Sequence, residues 1–176
     1  WADVLYAADD RWWNEYPAAR QFAGLKVTPT EATAKRYRLH HINLVSLGDP
    51  EKDVFLVDNP GTIARGGNSA FQLANLLLQF GVRRQLWLGI DCKGEHWHGK
   101  HPMPLRNPTP QRLDTWARTF DAQAGRLAEM GAEVINCSPI SVLRAYTKMS
   151  VGEALERWTK KAVPTPPSIS MPLPCS

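Results

Sequence analysis

No apolar run in these 176 residues reaches the roughly 20 residues needed to span a bilayer. No N-terminal stretch has the charged, apolar and small-residue order of a signal peptide. A membrane partner is therefore not expected. Cysteine is scarce: Cys92, Cys137 and Cys175 are an odd, widely spaced set that builds no disulfide framework, which points to the reducing cytoplasm. Charge of one sign is also lacking. Twenty-one Lys and Arg against 17 Asp and Glu leave +4, and the basic residues are scattered (Lys35-Arg36-Tyr37-Arg38, Arg83-Arg84, Lys160-Lys161). That pattern argues against a nucleic-acid footprint and suits an anionic small ligand such as a nucleotide. A Walker-type Lys-Ser/Thr pair is missing, as is any internal repeat.

What is present is a globular composition, 43% hydrophobic and 22% charged, long enough for one domain with a sizeable core. We expect that domain over residues 1–162. A tail over 163–176 follows, where five prolines (164, 166, 167, 172, 174) forbid helix and favour an extended chain. The chain opens at Trp1 and runs at once into a strand-like stretch, a start that suggests further sequence upstream, with another strand.

The stretch that organises the rest is Gly66-Gly67-Asn68-Ser69 followed by Ala70-Phe71-Gln72-Leu73-Ala74-Asn75-Leu76-Leu77-Leu78-Gln79-Phe80-Gly81. Two glycines, two capping residues, an almost wholly apolar helix and a closing glycine read as a buried helix over 68–80. Its free N-terminal N–H groups suit a phosphate or carboxylate. Strands are expected at Asp3–Ala8, Leu25–Val27, Gln85–Ile90 and Ala132–Asn136. Ile42–Val45 and Val54–Val57 read as a hairpin or peripheral excursion around Gly48-Asp49-Pro50-Glu51. Helices are expected over 11–22, 111–130 (Leu113, Trp116, Phe120, Ala124, Leu127 and Met130 on one face, Gly131 closing), 140–146 and 151–161. Strands alternating with helices predict an α/β fold, a single Rossmann-like domain with a mostly parallel sheet and helices on both faces. Ligands of such sheets sit beyond the strand C-termini. Asp9, Asp10, Asp91, Asn136 and Ser138 stand at those ends, and Gly66, Gly67, Asn68 and Ser69 should share their edge.

Between Asp91 and Pro110 lies a proline-rich loop carrying His96-Trp97-His98-Gly99-Lys100-His101. Three histidines in six residues supply a general base, a phosphate partner or a metal site, with Cys92 near enough in sequence to complete the last, or else an ordinary surface loop. The spacing matches no helical zinc motif. Trp12, Trp13 and Trp97 are candidates for ring stacking or for the core.

Taken together, Ala2–Trp13, Gly66–Ala74, Leu86–Asp91, His96–Pro102 and Glu133–Ser138 resemble a set of bacteriophage and prophage proteins, some labelled "norphogenetic", over roughly residues 1–160. The Gly66–Asp91 block is similar, more distantly, to bacterial sialyltransferase-like and flagellin-glycosylation-type domains and to hydroxymethylpterin pyrophosphokinase relatives. This resemblance implies that Asn68 and Ser69 contact the nucleotide of a nucleotide-sugar donor. It implies that the Leu86–Asp91 strand lines the same cleft, and that one of His96, His98 or His101 is the base for an acceptor hydroxyl. The function expected is a nucleotide-dependent, glycosyltransferase-like group transfer with no metal and no further cofactor. The alternative is a non-catalytic phage-encoded protein that binds a nucleotide or a host protein. The oligomeric state stays open, a homo-oligomer included.

Overall fold

A computed structural model describes residues 2–95 and 99–160. Among them the fold is α/β, and every strand pair is parallel, in three small sheets. The first sheet is β1 (Val4–Tyr6), β2 (Leu25–Thr28) and β3 (His40–His41); the second is β4 (Asn43–Val45) with β5 (Thr62–Ala64). The third is β6 (Arg84–Trp87), β7 (Glu133–Asn136) and β8 (Thr147–Lys148). The first two are stitched at Ile42. Its N–H donates to Thr28 O on β2, and the next N–H, of Asn43, donates to Gly61 O beside β5. Successive N–H groups of an extended chain point to opposite sides, so residues 40–45 run between β2 and β5.

Side-chain alternation along β1 decides which helix covers which face. Leu5 and Ala7 pack with Trp13 of α1 (Asp10–Glu15) and with Ala34 and Tyr37 of α2 (Glu31–Tyr37). Val4, Tyr6 and Ala8 pack with Val27, Ile42 and Ile63 against Leu73 and Leu76 of α3 (Ser69–Gln79). The opposite side of α3 enters the largest core, where Phe71, Ala74 and Leu78 meet Phe55, Trp87 and Phe120. One helix therefore joins all three sheets. Its ends are set locally: Asn68 Oδ1 accepts from Phe71 N at 2.9 Å, and Gly81 (φ +83°) follows the last turn, its N–H donating to Leu78 O.

The expectation of an almost wholly apolar α3 needs correcting. Gln72, Asn75 and Gln79, spaced three and four apart, form one polar seam. Asn75 is fully buried; its Oδ1 accepts from Leu56 N (3.1 Å) and Ala64 N (2.9 Å), and its Nδ2 donates to Leu56 O (2.7 Å). Gln79 Nε2 donates to Thr62 O at 2.6 Å and to Leu56 O at 3.1 Å. Gln72 Oε1 accepts from Tyr6 OH, and its Nε2 reaches Arg65 O at 2.7 Å. The seam supplies the backbone of 56–65 with the partners that a neighbouring strand would otherwise provide.

That seam explains a second correction. Val54–Val57 is not a strand, and β4 makes no hairpin with it; β4 pairs in parallel with β5, an element the sequence pattern did not single out. Phe55 sits at 0% exposure, its ring 4.4 Å from that of Phe71. The single helix expected over 111–130 is two, α4 (Pro110–Asp121) and α5 (Ala124–Glu129). At the break, buried Gln123 donates from Nε2 to Asp53 O (2.9 Å) and accepts at Oε1 from Phe55 N (3.0 Å). No helix forms over 140–146. The N–H of Val142 goes to Asp91 O, and those of Arg144 and Ala145 go to the Asp121 carboxylate, before β8 begins. β6 stops at Trp87, short of the expected Ile90, and Gly89 turns the chain with φ +72°. The helix expected near 151–161 is α6 (Val151–Lys160), and the expected tail over 163–176 lies outside the described residues. Among the described residues no helix is long and apolar enough to cross a membrane.

Candidate functional site

Beyond the end of β1 and the N-terminus of α3 lies a cavity of ≈ 620 Å³. Tyr6–Asp9 and Trp12 form one wall, and Arg112, Leu113 and Trp116 of α4 form the other. Gly67–Ala70 and Gln72 form the floor together with Gly89–Glu95, while His101 and Leu105–Pro108 complete the rim. A volume of this size belongs to the range of small-molecule sites.

Ser69, the first residue of α3, accepts at Oγ from Ala8 N (3.2 Å), so β1 and α3 are tied at the cavity wall, and its hydroxyl proton stays available to a ligand. Asn68 spends its side-chain oxygen on the helix cap. With Phe71 N on Asn68 Oδ1 and Gln72 N on Asn68 O, the N–H groups of Ser69 and Ala70 remain as the unsatisfied start of an 11-residue helix. The two glycines differ in role. Gly66 is buried outside the cavity lining with φ +51°. Its N–H donates to the buried Asp53 carboxylate (2.9 Å), and a Cβ there would fall 2.0 Å from Phe71 Cδ1. Gly67 lines the cavity with φ +82°, and a Cβ there would sit 2.9 Å from Trp116 Nε1. One glycine makes the turn; the other admits the indole.

Asp9 lines the cavity and caps α1 by accepting from Arg11 N at 2.9 Å, whereas Asp10 is exposed in the first turn of α1 and does not line it. Asp91 lines the cavity, half-buried. His101 reaches the rim from the loop, and Asn107 holds its backbone on both sides. Asn107 Oδ1 accepts from His101 N (2.8 Å), and Nδ2 donates to His101 O (3.1 Å). His96, Trp97 and His98 lie outside the described residues.

Asn136 and Ser138 were expected at the rim but are buried behind it, at 1% and 3% exposure. Asn136 Nδ2 donates to Ser141 Oγ (2.8 Å), and Ser141 Oγ donates to Ile90 O (2.8 Å). They brace the loop that presents Asp91. The reason is that the chain after β7 folds back against the end of β6: Ser141 N donates to Ser138 O and Val142 N to Asp91 O, so the residues that follow β7 are covered. Trp13 is fully buried, its Nε1 donating to Ala7 O at 3.0 Å, so it belongs to the core and Trp12 alone of that pair reaches the cavity. Burial pushes the Cys92 thiol up to about 12, with the Asp121 and Asp91 carboxylates adding to the rise, so Cys92 is a neutral wall residue rather than a nucleophile. Burial likewise raises the Tyr6 phenol, which stays a hydrogen-bond donor to Gln72.

Tyr6, Gln72, Arg106, Asn107, Arg112 and Trp116 were not foreseen at the site. Trp116 read as one more residue on the apolar face of a helix, and the arginine one turn before it was the only available hint. No protein-family model matches the chain, and no curated protein or solved structure is similar enough to match it.

Proposed function

We propose that the cavity binds a nucleotide-type donor and that the protein transfers a group, glycosyl in kind, from it to an acceptor hydroxyl. In this reading the three sheets act as one Rossmann-like domain of the cytoplasm. The observation that carries the proposal is the meeting, around one cavity, of the α3 N-terminus with Ser69, the carboxylates Asp9 and Asp91, and His101. Each has a separate task. The N–H groups of Ser69 and Ala70 and the Ser69 hydroxyl receive phosphate oxygens. Arg112 and Arg106, exposed at the rim, add charge. Asp9 or Asp91 accepts from sugar hydroxyls, and Trp12 offers a ring face to the base. His101 takes the acceptor proton as the acceptor oxygen bonds the anomeric carbon. The bond from that carbon to the donor phosphate breaks, and the leaving phosphate keeps the electron pair at the α3 N-terminus. The resemblance of Gly66–Asp91 to sialyltransferase-like domains supports the same assignment.

Calorimetry with cytidine and uridine mono- and diphosphates and their sugar conjugates tests this. At least one should bind, and Ser69→Ala should weaken it roughly tenfold, as expected for one lost charge-assisted hydrogen bond. Ser69→Trp should abolish binding by filling the floor. Failure of the whole panel to bind removes the proposal. His101→Ala should stop transfer and leave donor affinity within threefold. A donor that binds and is recovered unchanged after long incubation with candidate acceptors would convert the protein into a binder rather than an enzyme.

A further inference from the structure

Beside the cavity lies a second groove of ≈ 210 Å³, lined by Pro50, Gly67, Gln111, Arg112, Thr115 and Trp116. Gly67, Arg112 and Trp116 line both spaces, so the groove begins at the same turn that leads into the α3 N-terminus. The geometry points to this groove as the subsite for the second substrate, a polyhydroxylated ring that lies on the Trp116 indole. The inference rests on the donor reading of the main cavity.

Three features make it a built groove. Its indole is seated by Gly67: any side chain there would press on Trp116 Nε1 and Cδ1, at 2.9 and 3.1 Å from the would-be Cβ. Its far wall, Pro50, opens a 3-10 turn (Pro50–Lys52) fixed against α4 by a bidentate pair. Arg118 Nε lies 3.0 Å from Glu51 Oε2, and Nη2 lies 2.9 Å from Glu51 Oε1. Asp49 caps the same turn by accepting from Glu51 N at 3.0 Å. The turn that carries Pro50 is therefore tied directly to α4 by a bidentate ion pair.

The chemistry of the lining selects the ligand class. The Trp116 indole and the Pro50 ring, both in the lining, offer apolar contact to the C–H side of a saccharide ring, as aromatic rings do for other apolar faces. Gln111 and the Arg112 guanidinium, both exposed on the first turn of α4, present an amide and a cation to its hydroxyl or carboxylate groups. The cation on α4 that is tied up is Arg118, with Glu51 and Asp114, so among the described residues Arg112 is left for a ligand. A groove this small takes one ring. A longer glycan would extend outward past Gln111.

Saturation-transfer NMR on the full chain tests the subsite, with methyl β-galactoside, methyl β-glucoside and N-acetylglucosamine as probes, each with and without saturating cytidine monophosphate. At least one should bind the wild type. Gln111→Trp fills the groove from an exposed position, so it should abolish the saccharide signal and leave the nucleotide dissociation constant within threefold. Trp116→Leu should weaken the saccharide roughly tenfold. Nucleotide binding with no saccharide binding to the wild type overturns the subsite and spares the donor cavity. Saccharide binding that survives Gln111→Trp overturns it as well. Saccharide binding lost in Gln111→Trp, with no nucleotide bound by any form, keeps the groove as a sugar site and removes the donor reading.

Discussion

Replacing Asn75 by leucine separates two descriptions of the central helix. An apolar helix would welcome the leucine, which has the same number of side-chain heavy atoms and the same branching as asparagine and adds buried hydrocarbon. The structure predicts the reverse. Asn75 Oδ1 is the acceptor for two backbone N–H groups, Leu56 at 3.1 Å and Ala64 at 2.9 Å, and the side chain is fully buried. Each N–H left without a partner costs about 1–3 kcal/mol, so the pair costs about 2–6 kcal/mol. Leu56 O keeps Gln79 Nε2 at 3.1 Å and adds little to the loss. The added hydrocarbon recovers about 1 kcal/mol. A net loss of about 1–5 kcal/mol is a substantial share of the roughly 5–15 kcal/mol typical of a domain. With a urea slope of about 2 kcal/mol/M, the unfolding midpoint should fall by roughly 0.5–2.5 M. Asn75→Asp keeps the acceptor for both N–H groups but places a carboxylate at a site with 0% exposure, so it too should destabilise, increasingly as pH rises through the carboxylate range. Urea titration by circular dichroism measures all three proteins. A leucine variant with an unchanged or higher midpoint would refute the role of the amide seam.

Gly66→Ala should lower stability by about 2–4 kcal/mol, because a left-handed backbone and a Cβ driven into Phe71 act together; a thermal shift near zero would contradict this. Alkaline pH should destabilise the fold. Cys92, Tyr6 and Tyr146 all have raised folded values, so they favour folding in their protonated forms. That contribution is complete below the ordinary thiol value of 9.0 and fades as pH climbs toward 12. Urea midpoints between pH ~8 and ~11 should decline, less steeply in Cys92→Ser, and a rising midpoint would reverse the sign. Cys92 should also resist alkylation in the native protein near pH ~8 and react readily in urea, as mass spectrometry would show. Asn107→Ala releases both backbone hydrogen bonds that hold His101, so it should reduce transfer more than donor affinity; equal losses in the two would place Asn107 in donor binding instead.

The ends of elements were legible because they are local. Asn68 caps α3, Gly81 and Gly131 take the left-handed conformation after their helices, and Pro17 stops α1. Apolar length marked β1, β6 and β7 as strands. Partner choice was not legible. Sequence proximity suggests a hairpin of β4 with the nearest apolar run, Val54–Val57, or a peripheral excursion made by the two. The true partner Thr62–Ala64 is short and follows a turn, and the intervening segment needs no strand because amides of α3 and Gln123 satisfy its backbone. The amides of Gln72, Asn75 and Gln79 look like solvent-facing breaks in an apolar pattern until the chain they bind is in place.

At the site, the strand-end rule brought Asp9, Asp91 and Gly67–Ser69 to one cavity, since parallel strands share a C-terminal edge. The same rule placed Asn136 and Ser138 there wrongly, because it carries no information on which strand end is covered.

The sequence by itself determined the α/β alternation, the capped central helix with a glycine turn before it, and the candidate polar residues at strand ends. Each follows from backbone stereochemistry and hydrophobic period over a few residues. Only the tertiary structure decided that Trp116 stands across Gly67, that Asp53 holds the turn, that Asn107 grips His101, and that a second groove shares Gly67, Arg112 and Trp116 with the first. Most of those contacts join residues far apart in the chain, and side-chain identity alone does not encode which distant backbone group will be left in need of a partner.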